Sequence, residues 1–337
     1  MLEARSLSKA VVSSTLIENP SPGNLQPTRL ALHVNEDASS CWVYMASGCH
    51  LYKLQVPMQD SSVNKGKESL LIPLQTQVMD SSVVNRCPHR SEIQSIVLCE
   101  TESVGNLVLG SVDSYGHLIV SKLDSSGKDI DSLTYSVSPR DSGVGEGSWA
   151  GLCFSPSQWS MAAVAHSFCK SIDVYDQDIH LRTLRTLWYP SSLNFLQNLN
   201  HGDGSSILAV TEGCQLTIWD LRMKENGGCL HRICGSLGDI FYAVCSSSTG
   251  NIAVGGADRT VTIYDPRRFF VANGKRAIKY FRLEETQTGL GSVRRVRHLT
   301  CLHVNSLLQC SNSNRDLLGG WCDSGSVFLA DVGANGS

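Results

Sequence analysis

Short runs of apolar residues recur along the whole chain, separated by turns rich in Gly, Asp and Ser. Six times, an apolar run, a tight polar turn and a second apolar run follow one another directly. Runs of this length that are bounded by turn residues predict β-strands, so each repeat is predicted to contain a β-hairpin. The six hairpins are CWVYMASGCHLYKLQV (41–56), NLVLGSVDSYGHLIVSKLD (106–124), SMAAVAHSFCKSIDVYD (160–176), SSILAVTEGCQLTIWDLR (205–222), NIAVGGADRTVTIYDPR (251–267) and DLLGGWCDSGSVFLADV (316–332).

Each hairpin has a strand-like run before it, and most have a weaker, more polar run after it. The preceding runs are LALHVNE (30–36), IQSIVLCE (93–100), WAGLCFSP (149–156), SLNFLQNL (192–199), DIFYAVCSS (239–247) and LTCLHVN (299–305). The following runs include SLLIPLQTQ (69–77), SLTYSVS (132–138), LRTLRTL (181–187) and CLHRICG (229–235). Four strands per repeat, with apolar inner strands and a mixed outer one, are typical of a propeller blade.

The sequence therefore predicts an all-β propeller of four-stranded blades that forms a single domain over residues 1–337. Six blades are counted, and a seven-bladed propeller is the alternative if one blade is irregular. The last hairpin has no outer strand behind it, so residues 4–17 are predicted to supply that strand and close the ring. Such closure would remove free sheet edges. Residues 57–68 and 268–298 are predicted to form long loops, and the region of the second loop includes an outer strand.

Several hairpins share the residues of a known repeat family. Three end in an aromatic residue followed by Asp, and four carry an acid in the tight turn. In these features the chain resembles the WD40-repeat β-propellers along nearly its whole length. The resemblance implies that the turn acids cap the backbone amides of the turn, as a short acidic side chain can do at a tight corner. The pairs are Tyr175-Asp176, Trp219-Asp220 and Tyr264-Asp265, and the turn acids are Asp113, Glu212, Asp258 and Asp323.

The chain also departs from the WD40 pattern. No repeat of this chain opens with the Gly-His dipeptide that usually stands there in the family. The resemblance therefore implies that the family's His–Ser–Asp–Trp hydrogen-bond network is incomplete in this chain.

Two hairpins continue from the aromatic-Asp pair to an arginine, as WDLR (219–222) and YDPR (264–267). They are similar to the WDxR (DWD-box) motif of substrate receptors for cullin-4 RING ubiquitin ligases, whose arginine reaches the ligase adaptor. The resemblance implies that Arg222 and Arg267 are adaptor contacts, with Asp258 as the turn acid of the better-matching repeat. An arginine offers a planar fork of donors that suits carbonyls and carboxylates at an interface. The alternative is that each arginine pairs with an acid on its own blade, Asp220 or Asp265.

Charge is unevenly distributed along the chain. Residues 266–298 hold nine basic and two acidic residues, whereas the whole chain has a net charge of −3. One interpretation is a basic rim that docks an acidic protein or a nucleic acid, and the other is a solvated surface loop. Nucleic acid is the less favoured partner because few aromatic residues interleave the basic ones. Candidate contacts in this stretch are Arg268, Arg294, Arg295 and Arg297.

The remaining motifs argue against catalysis and cofactors. The 13 cysteines are scattered without a C-x-x-C pair, which favours a reducing compartment and no bound metal. GVGEGS (143–148) lacks the Lys-Ser/Thr of a P-loop, and no nucleophile elbow is present. No secretory signal or membrane-spanning run is recognised. We therefore expect a non-catalytic interaction scaffold, one subunit of a larger complex in the nucleus or cytoplasm, with a cullin-4 ligase receptor as the alternative.

Overall fold

A computed structural model describes most of the chain in segments. These segments are residues 8–12, 15, 17, 27–34, 39–58, 74–84, 89–100, 106–124, 133–139, 148–156, 158–196, 206–235, 240–247, 250–257, 260–264, 279–282, 304–312, 315–322 and 327–331. Within them the regular structure is β, apart from two short 3-10 helices, Pro27–Arg29 and Glu225–Gly228. No helix in these segments is long and apolar enough to cross a bilayer.

The chain divides into two compact units, Met1–Ala150 and Gly151–Ser337. The strands of the N-terminal unit are β1 (Ser8–Val11), β2 (Leu30–Val34), β3 (Ser40–Ser47), β4 (His50–Pro57), β5 (Leu74–Gln77), β6 (Asp80–Val83), β7 (Ile93–Glu100), β8 (Asn106–Asp113), β9 (Leu118–Asp124) and β10 (Leu133–Val137). They form two four-stranded antiparallel sheets, β2-β3-β4-β6 (blade 1) and β7-β8-β9-β10 (blade 2). A small parallel pair, β1-β5, completes the unit.

The C-terminal unit repeats the same design. Its strands are β11 (Ala150–Phe154), β12 (Met161–His166), β13 (Ser171–Asp176), β14 (Ile179–Arg185), β15 (Pro190–Phe195), β16 (Ile207–Glu212), β17 (Gln215–Asp220), β18 (Cys229–Cys234), β19 (Phe241–Ser246), β20 (Ile252–Gly256), β21 (Thr260–Tyr264), β22 (Lys279–Arg282), β23 (Val304–Asn312), β24 (Arg315–Cys322) and β25 (Val327–Asp331). Strands β11–β14, β15–β18 and β19–β22 form blades 3, 4 and 5, each with four strands in chain order. Strands β23–β25 form a three-stranded sheet, blade 6.

A series of small antiparallel sheets built from consecutive strands is the architecture of a β-propeller. The all-β propeller prediction is thus confirmed, with five four-stranded blades. In each four-stranded blade the predicted hairpin forms the two middle strands, as β16-β17 does in blade 4, whereas in blade 6 the hairpin β24-β25 ends at the sheet edge. The total number of blades and the closure of a ring stay predictions.

Two strand assignments differ from the prediction. The outer strand of blade 1 is β6 rather than residues 69–77, because the exposed polar run of β6 pairs with β4 and leaves β5 outside the sheet. The N-terminal strand β1 pairs in parallel with β5 and not, in the described strands, with the edge of blade 6. In blade 6, the first strand begins at Val304, near the end of the predicted run 299–305.

The inner strands of blades 3 and 4 are buried on both faces, which explains their nearly continuous apolar sequence. The side chains of Ala162 to His166 in β12 are all buried, as are those of Leu208 to Glu212 in β16. Neighbouring blades share apolar layers. One layer joins blades 1 and 2 through residues such as Tyr44, Leu51, Ile93 and Leu109. Another joins blades 4 and 5 through residues such as Ala209, Ile218, Val244 and Ile252. Burying each Val, Leu or Ile side chain of these layers stabilises the fold by roughly 1.5–3 kcal/mol.

Candidate protein-interaction site

Arg222 lies in the connection between the third and fourth strands of blade 4. Strand β17 ends at Asp220, and a short loop containing the 3-10 helix Glu225–Gly228 leads to β18. The preceding Trp219 is buried, and its Nε1–H donates to Thr217 Oγ1 at 2.9 Å. The motif therefore begins in the core of the blade and ends at its surface.

The guanidinium of Arg222 is exposed and is also paired. Its side chain is 72% exposed, whereas that of Asp220 is 8% exposed. Nε donates to Asp220 Oδ1 at 3.0 Å, and Nη2 donates to Asp220 Oδ2 at 2.8 Å. The backbone N–H of Arg222 adds a third bond to Oδ1 at 2.9 Å. The exposure of Arg222 agrees with the hypothesis that it contacts a partner. Its ion pair with Asp220 agrees with the alternative hypothesis, in which the arginine pairs within its own blade.

The pair shifts the protonation equilibria of both partners. The side-chain hydrogen bonds from Arg222 lower the pKa of Asp220, more than its burial raises it. The same bonds raise the pKa of Arg222. Both side chains are therefore charged at neutral pH, and the carboxylate holds the guanidinium in one orientation. An arginine has five N–H donors, so three remain available after two are used on Asp220.

A second arginine anchors the loop from the neighbouring blade. Arg182, on β14 of blade 3, donates through Nη1 to the carbonyl oxygens of Leu221, at 3.1 Å, and Met223. Gly228 permits this close approach, since a Cβ on it would lie 2.8 Å from Asp220 O and 3.1 Å from the Arg182 guanidinium. The loop that carries Arg222 is thus fixed by both blade 3 and blade 4.

Arg222 is the predicted site residue that the structure places. The hairpin β20-β21, which leads to the second motif, is confirmed. Six other predicted site residues lie outside the described residues: Asp258, Arg267, Arg268, Arg294, Arg295 and Arg297. Their roles, and that of the basic stretch 266–298, stay predictions.

The turn acid of blade 2 has the predicted role. Asp113 is buried, and its Oδ1 accepts the backbone N–H groups of Tyr115 and His117 at 3.1 and 3.0 Å. Burial alone would raise the pKa of Asp113, but hydrogen bonds from His89 and the His117 amide outweigh it and keep the pKa below its usual value. Asp113 is therefore a charged cap of its turn.

The turn acid of blade 4 has a different role from the predicted one. Glu212 is fully buried, and its Oε2 accepts the backbone N–H groups of Leu187 and Trp188 at 2.7 and 2.8 Å. Its Oε1 lies 3.6 Å from Arg232 Nη1. Because the side chain of Glu is one methylene longer than that of Asp, its carboxylate reaches the loop that enters the blade rather than its own turn. Glu212 consequently fixes residues 186–189.

Blade 2 also holds a hydrogen-bond network that sequence reasoning missed. His89, just before β7, is buried, with Nδ1 3.1 Å from Asp113 Oδ2 and Nε2 2.8 Å from Ser111 Oγ. A proton on Nδ1 satisfies both contacts, since His89 then donates to the carboxylate and accepts from the hydroxyl. His89, Ser111 and Asp113 thus form one continuous hydrogen-bond network inside blade 2. The position of His89 just before β7, the first strand of the blade, is the sequence feature that could have predicted this network.

The same cluster raises the question of a metal. In the part of the chain that the structure describes, His89, Asp113 and His117 bring possible ligand atoms within 4.8 Å of one another. Both oxygens of Asp113 already accept hydrogen bonds, and both nitrogens of His89 have partners. Asp113 and His89 thus already use, in hydrogen bonds within blade 2, the atoms that an ion would need.

Blade 3 contains a related network with its acid on a different strand. Asp173 on β13 is buried, and Thr183 Oγ1 donates to its Oδ1 at 2.5 Å. His166 Nε2 and His180 Nε2 lie 3.2 and 3.4 Å from its two carboxylate oxygens. Burial would raise the pKa of Asp173, but the contacts with His166 and Thr183 outweigh it and lower the pKa to about 2.

This shift predicts a pH dependence of stability. An unfolded Asp titrates near pH ~4, so the lower folded pKa stabilises the protein above that pH, and this stabilisation disappears as the pH falls toward 2. Its size is about 2 kcal/mol, at ~1.4 kcal/mol per unit of pKa. Urea unfolding between pH 5 and pH 2.5 measures it. Asp173→Asn should flatten this decline, and Thr183→Val should reduce it in part. An equally steep decline in Asp173→Asn would contradict the assignment.

Comparison with known proteins does not extend the identification. No protein-family model matches the chain, and no curated protein matches it at a significant level. What the fold and the geometry define is the class, a β-propeller of small antiparallel sheets with an ordered, exposed arginine on blade 4.

Proposed function

We propose that this protein is a non-catalytic interaction scaffold, a propeller subunit of a larger complex in the nucleus or cytoplasm. The observation that carries the proposal is the exposed guanidinium of Arg222, on a loop that Asp220 and Arg182 hold in place. An interface arginine loses less conformational entropy on binding when it is already oriented in the free protein. Three remaining donors suit a backbone carbonyl or a carboxylate of a partner.

The acid networks of the described blades favour the same proposal. The buried carboxylates of Asp113, Asp173 and Glu212 each accept hydrogen bonds within the protein. A carboxylate used in this way stabilises a turn or a loop. These residues are accounted for by structure, whereas the exposed donors of Arg222 are not.

A tagged pull-down of the full chain, quantified by mass spectrometry, tests the scaffold proposal. We expect partners at near-stoichiometric amounts and a native mass above that of the chain alone. Arg90→Ala provides a matched control for Arg222→Ala, because Arg90 is an exposed arginine of another blade. A chain that runs as a monomer and captures nothing above the untagged background would contradict the scaffold proposal.

The second candidate function is a substrate receptor of a cullin-4 RING ubiquitin ligase, and the exposure of Arg222 within WDLR favours it. In this hypothesis Arg222 and Arg267 contact the ligase adaptor. Asp220 positions the guanidinium of Arg222 rather than competing for it, because the pair uses two of its five donors.

Arginine substitutions separate docking from local pairing. Arg267→Ala is expected to weaken adaptor binding about thirtyfold or more, a hot-spot amount of roughly 2 kcal/mol, and Arg222→Ala to weaken it less. The smaller effect of Arg222 follows from the poorer match of its repeat. Arg267→Ala should fold with a stability within ~0.5 kcal/mol of wild type. Arg222→Ala loses the ion pair with Asp220 and should be less stable by about 1 kcal/mol. Co-precipitation with purified adaptor measures this, with Arg90→Ala as the control. If wild type captures no adaptor, or Arg267→Ala captures as much as wild type, the receptor hypothesis fails and the plain scaffold remains.

A further inference from the structure

Five large apolar side chains are exposed on adjoining loops at one end of blades 3 to 5. Their exposed fractions lie between 45% and 66%. They come from the turn after β12, the loop between β14 and β15, and the residue before β19. Exposed apolar groups that cluster in this way are typical of binding sites, whereas scattered ones need no explanation. We call this set the aromatic patch: Phe168, Leu187, Trp188, Tyr189 and Ile240.

Hydrogen bonds join the loops of the aromatic patch to one another. The turn that carries Phe168 meets the next loop where Thr186 N–H donates to Lys170 O at 2.9 Å. That loop meets blade 4 at Gly213, where an added Cβ would lie 3.3 Å from Trp188 Cβ. Blade 5 joins through Phe241 N–H, which donates to Gly213 O at 2.8 Å. The three loops therefore form one continuous surface.

A buried carboxylate holds the central loop of the patch in its exposed conformation. Glu212 accepts the N–H groups of Leu187 and Trp188, and Thr186 Oγ1 donates to Trp188 O at 2.8 Å. Leu187 and Trp188 are thus fixed at the surface by their backbone. A rigid aromatic anchor loses little entropy on binding, which is a property of interface hot spots.

The charges on the described side chains beside the patch are positive. Lys170 Nζ lies 4.8 Å from the centre of the Tyr189 ring, and Arg185, exposed, ends the strand that leads into the loop. Lys170 adopts a φ of 51°, a conformation that favours Gly or Asn. The turn thus tolerates backbone strain of about 1 kcal/mol at this lysine. The buried acid Glu212 is occupied by Arg232 and the loop amides.

We propose that the aromatic patch binds a protein segment in which an acidic side chain stands beside aliphatic or aromatic ones. The apolar residues of the segment would cover Trp188 and Tyr189, and its carboxylate would meet Lys170. This inference rests on the proposed scaffold function and names one of its binding surfaces. A lipid surface is disfavoured because the described residues beside the patch supply two cations, Lys170 and Arg185, fewer than the roughly four to eight that typically recognise an anionic membrane.

A phage-displayed library of random dodecapeptides, selected on the full chain, tests the inference. Counter-selection against Trp188→Ala removes peptides that bind elsewhere. We expect the enriched sequences to combine Asp or Glu with Leu, Phe or Trp. A labelled synthetic copy of the leading peptide should bind wild type and lose at least tenfold in affinity to Trp188→Ala or Tyr189→Ala. Lys170→Gln should cost a few-fold, and Trp188→Phe should retain most of the binding.

Ile179→Ala is the matched control, because Ile179 is 64% exposed at the opposite end of β14. Its peptide affinity should equal that of wild type. The inference is overturned if no enrichment depends on Trp188, if the enriched peptides lack acidic residues, or if Ile179→Ala loses as much affinity. Trp188-dependent sedimentation with phosphatidylserine vesicles, without peptide enrichment, would overturn it in favour of a membrane. If wild type and Trp188→Ala capture the same partners, the scaffold function stands, but the aromatic patch is not the surface that binds them.

Discussion

Asp113→Ala is expected to lower the free energy of unfolding by about 4 kcal/mol. The substitution removes the acceptor of three N–H groups, those of Tyr115, His117 and the His89 ring. The His89 side chain is fully buried, so its N–H would have no water in place of the lost carboxylate. Each donor left unsatisfied in the interior costs roughly 1–3 kcal/mol. The midpoint of urea unfolding at neutral pH measures the loss.

Two further variants test whether the loss of stability in Asp113→Ala comes from the buried hydrogen-bond network. Asp113→Asn keeps an oxygen for the turn amides but directs an amide toward the His89 ring, so it should lose about half as much. Asp80→Ala removes an Asp that is exposed on β6 and accepts one bond, from Ser81 N–H, and it should change stability by ~0.5 kcal/mol or less. Equal losses in Asp113→Ala and Asp80→Ala would show that the buried network contributes nothing particular.

Gly256→Ala is expected to destabilise blade 5 by about 3 kcal/mol, because the added methyl would meet backbone rather than a movable side chain. A Cβ on Gly256 would lie 2.2 Å from Ile240 O and 3.0 Å from Phe241 Cα. The neighbouring Ala257 N–H donates to the same Ile240 oxygen at 2.8 Å, so the two strands cannot separate without losing that bond. Thermal and urea unfolding measure the effect.

Gly227→Ala is the matched control for this close approach. Gly227 has a φ of +67° but no atom within 4 Å of an added Cβ, so it should lose about 1 kcal/mol from backbone strain alone. If the two substitutions cost the same, the close contact at Gly256 is relieved elsewhere and the prediction is wrong.

The hairpins could be predicted from sequence because each of them combines two local signals, a pair of apolar runs and a tight turn between them. In blade 4, the apolar runs of β16 and β17 flank the turn at Gly213, and the register joins Glu212 to Gln215 directly across that turn. Blade 1 shows where local signals fail. The run 69–77 looked more strand-like than the exposed polar strand β6, but pairing with β4 depends on which segment returns to the sheet edge. Apolar content does not determine that geometry.

The site could be predicted in part. WDLR pointed to Arg222, and the structure adds the support from Arg182, which lies 40 residues earlier in the chain on another blade. A contact between blades leaves no periodic signal in the sequence. The roles of Glu212 and of the His166–Asp173 pair were missed for a related reason. In both cases the side chain bonds to a segment that does not adjoin it in the sequence, so its role cannot be predicted from its neighbours along the chain.

The strand order has a consequence for how the chain reaches its fold. In blades 2 to 5, each strand pairs with its immediate neighbours in sequence, so every pairing closes a short loop. Short loop closure costs little entropy, and each sheet can complete soon after its last strand leaves the ribosome. Blade 1 is different because β5 lies between β4 and β6 in sequence but outside the sheet, so the β4–β6 pairing closes a longer loop. The first sheet to be synthesised therefore depends on a longer closure than the four that follow it.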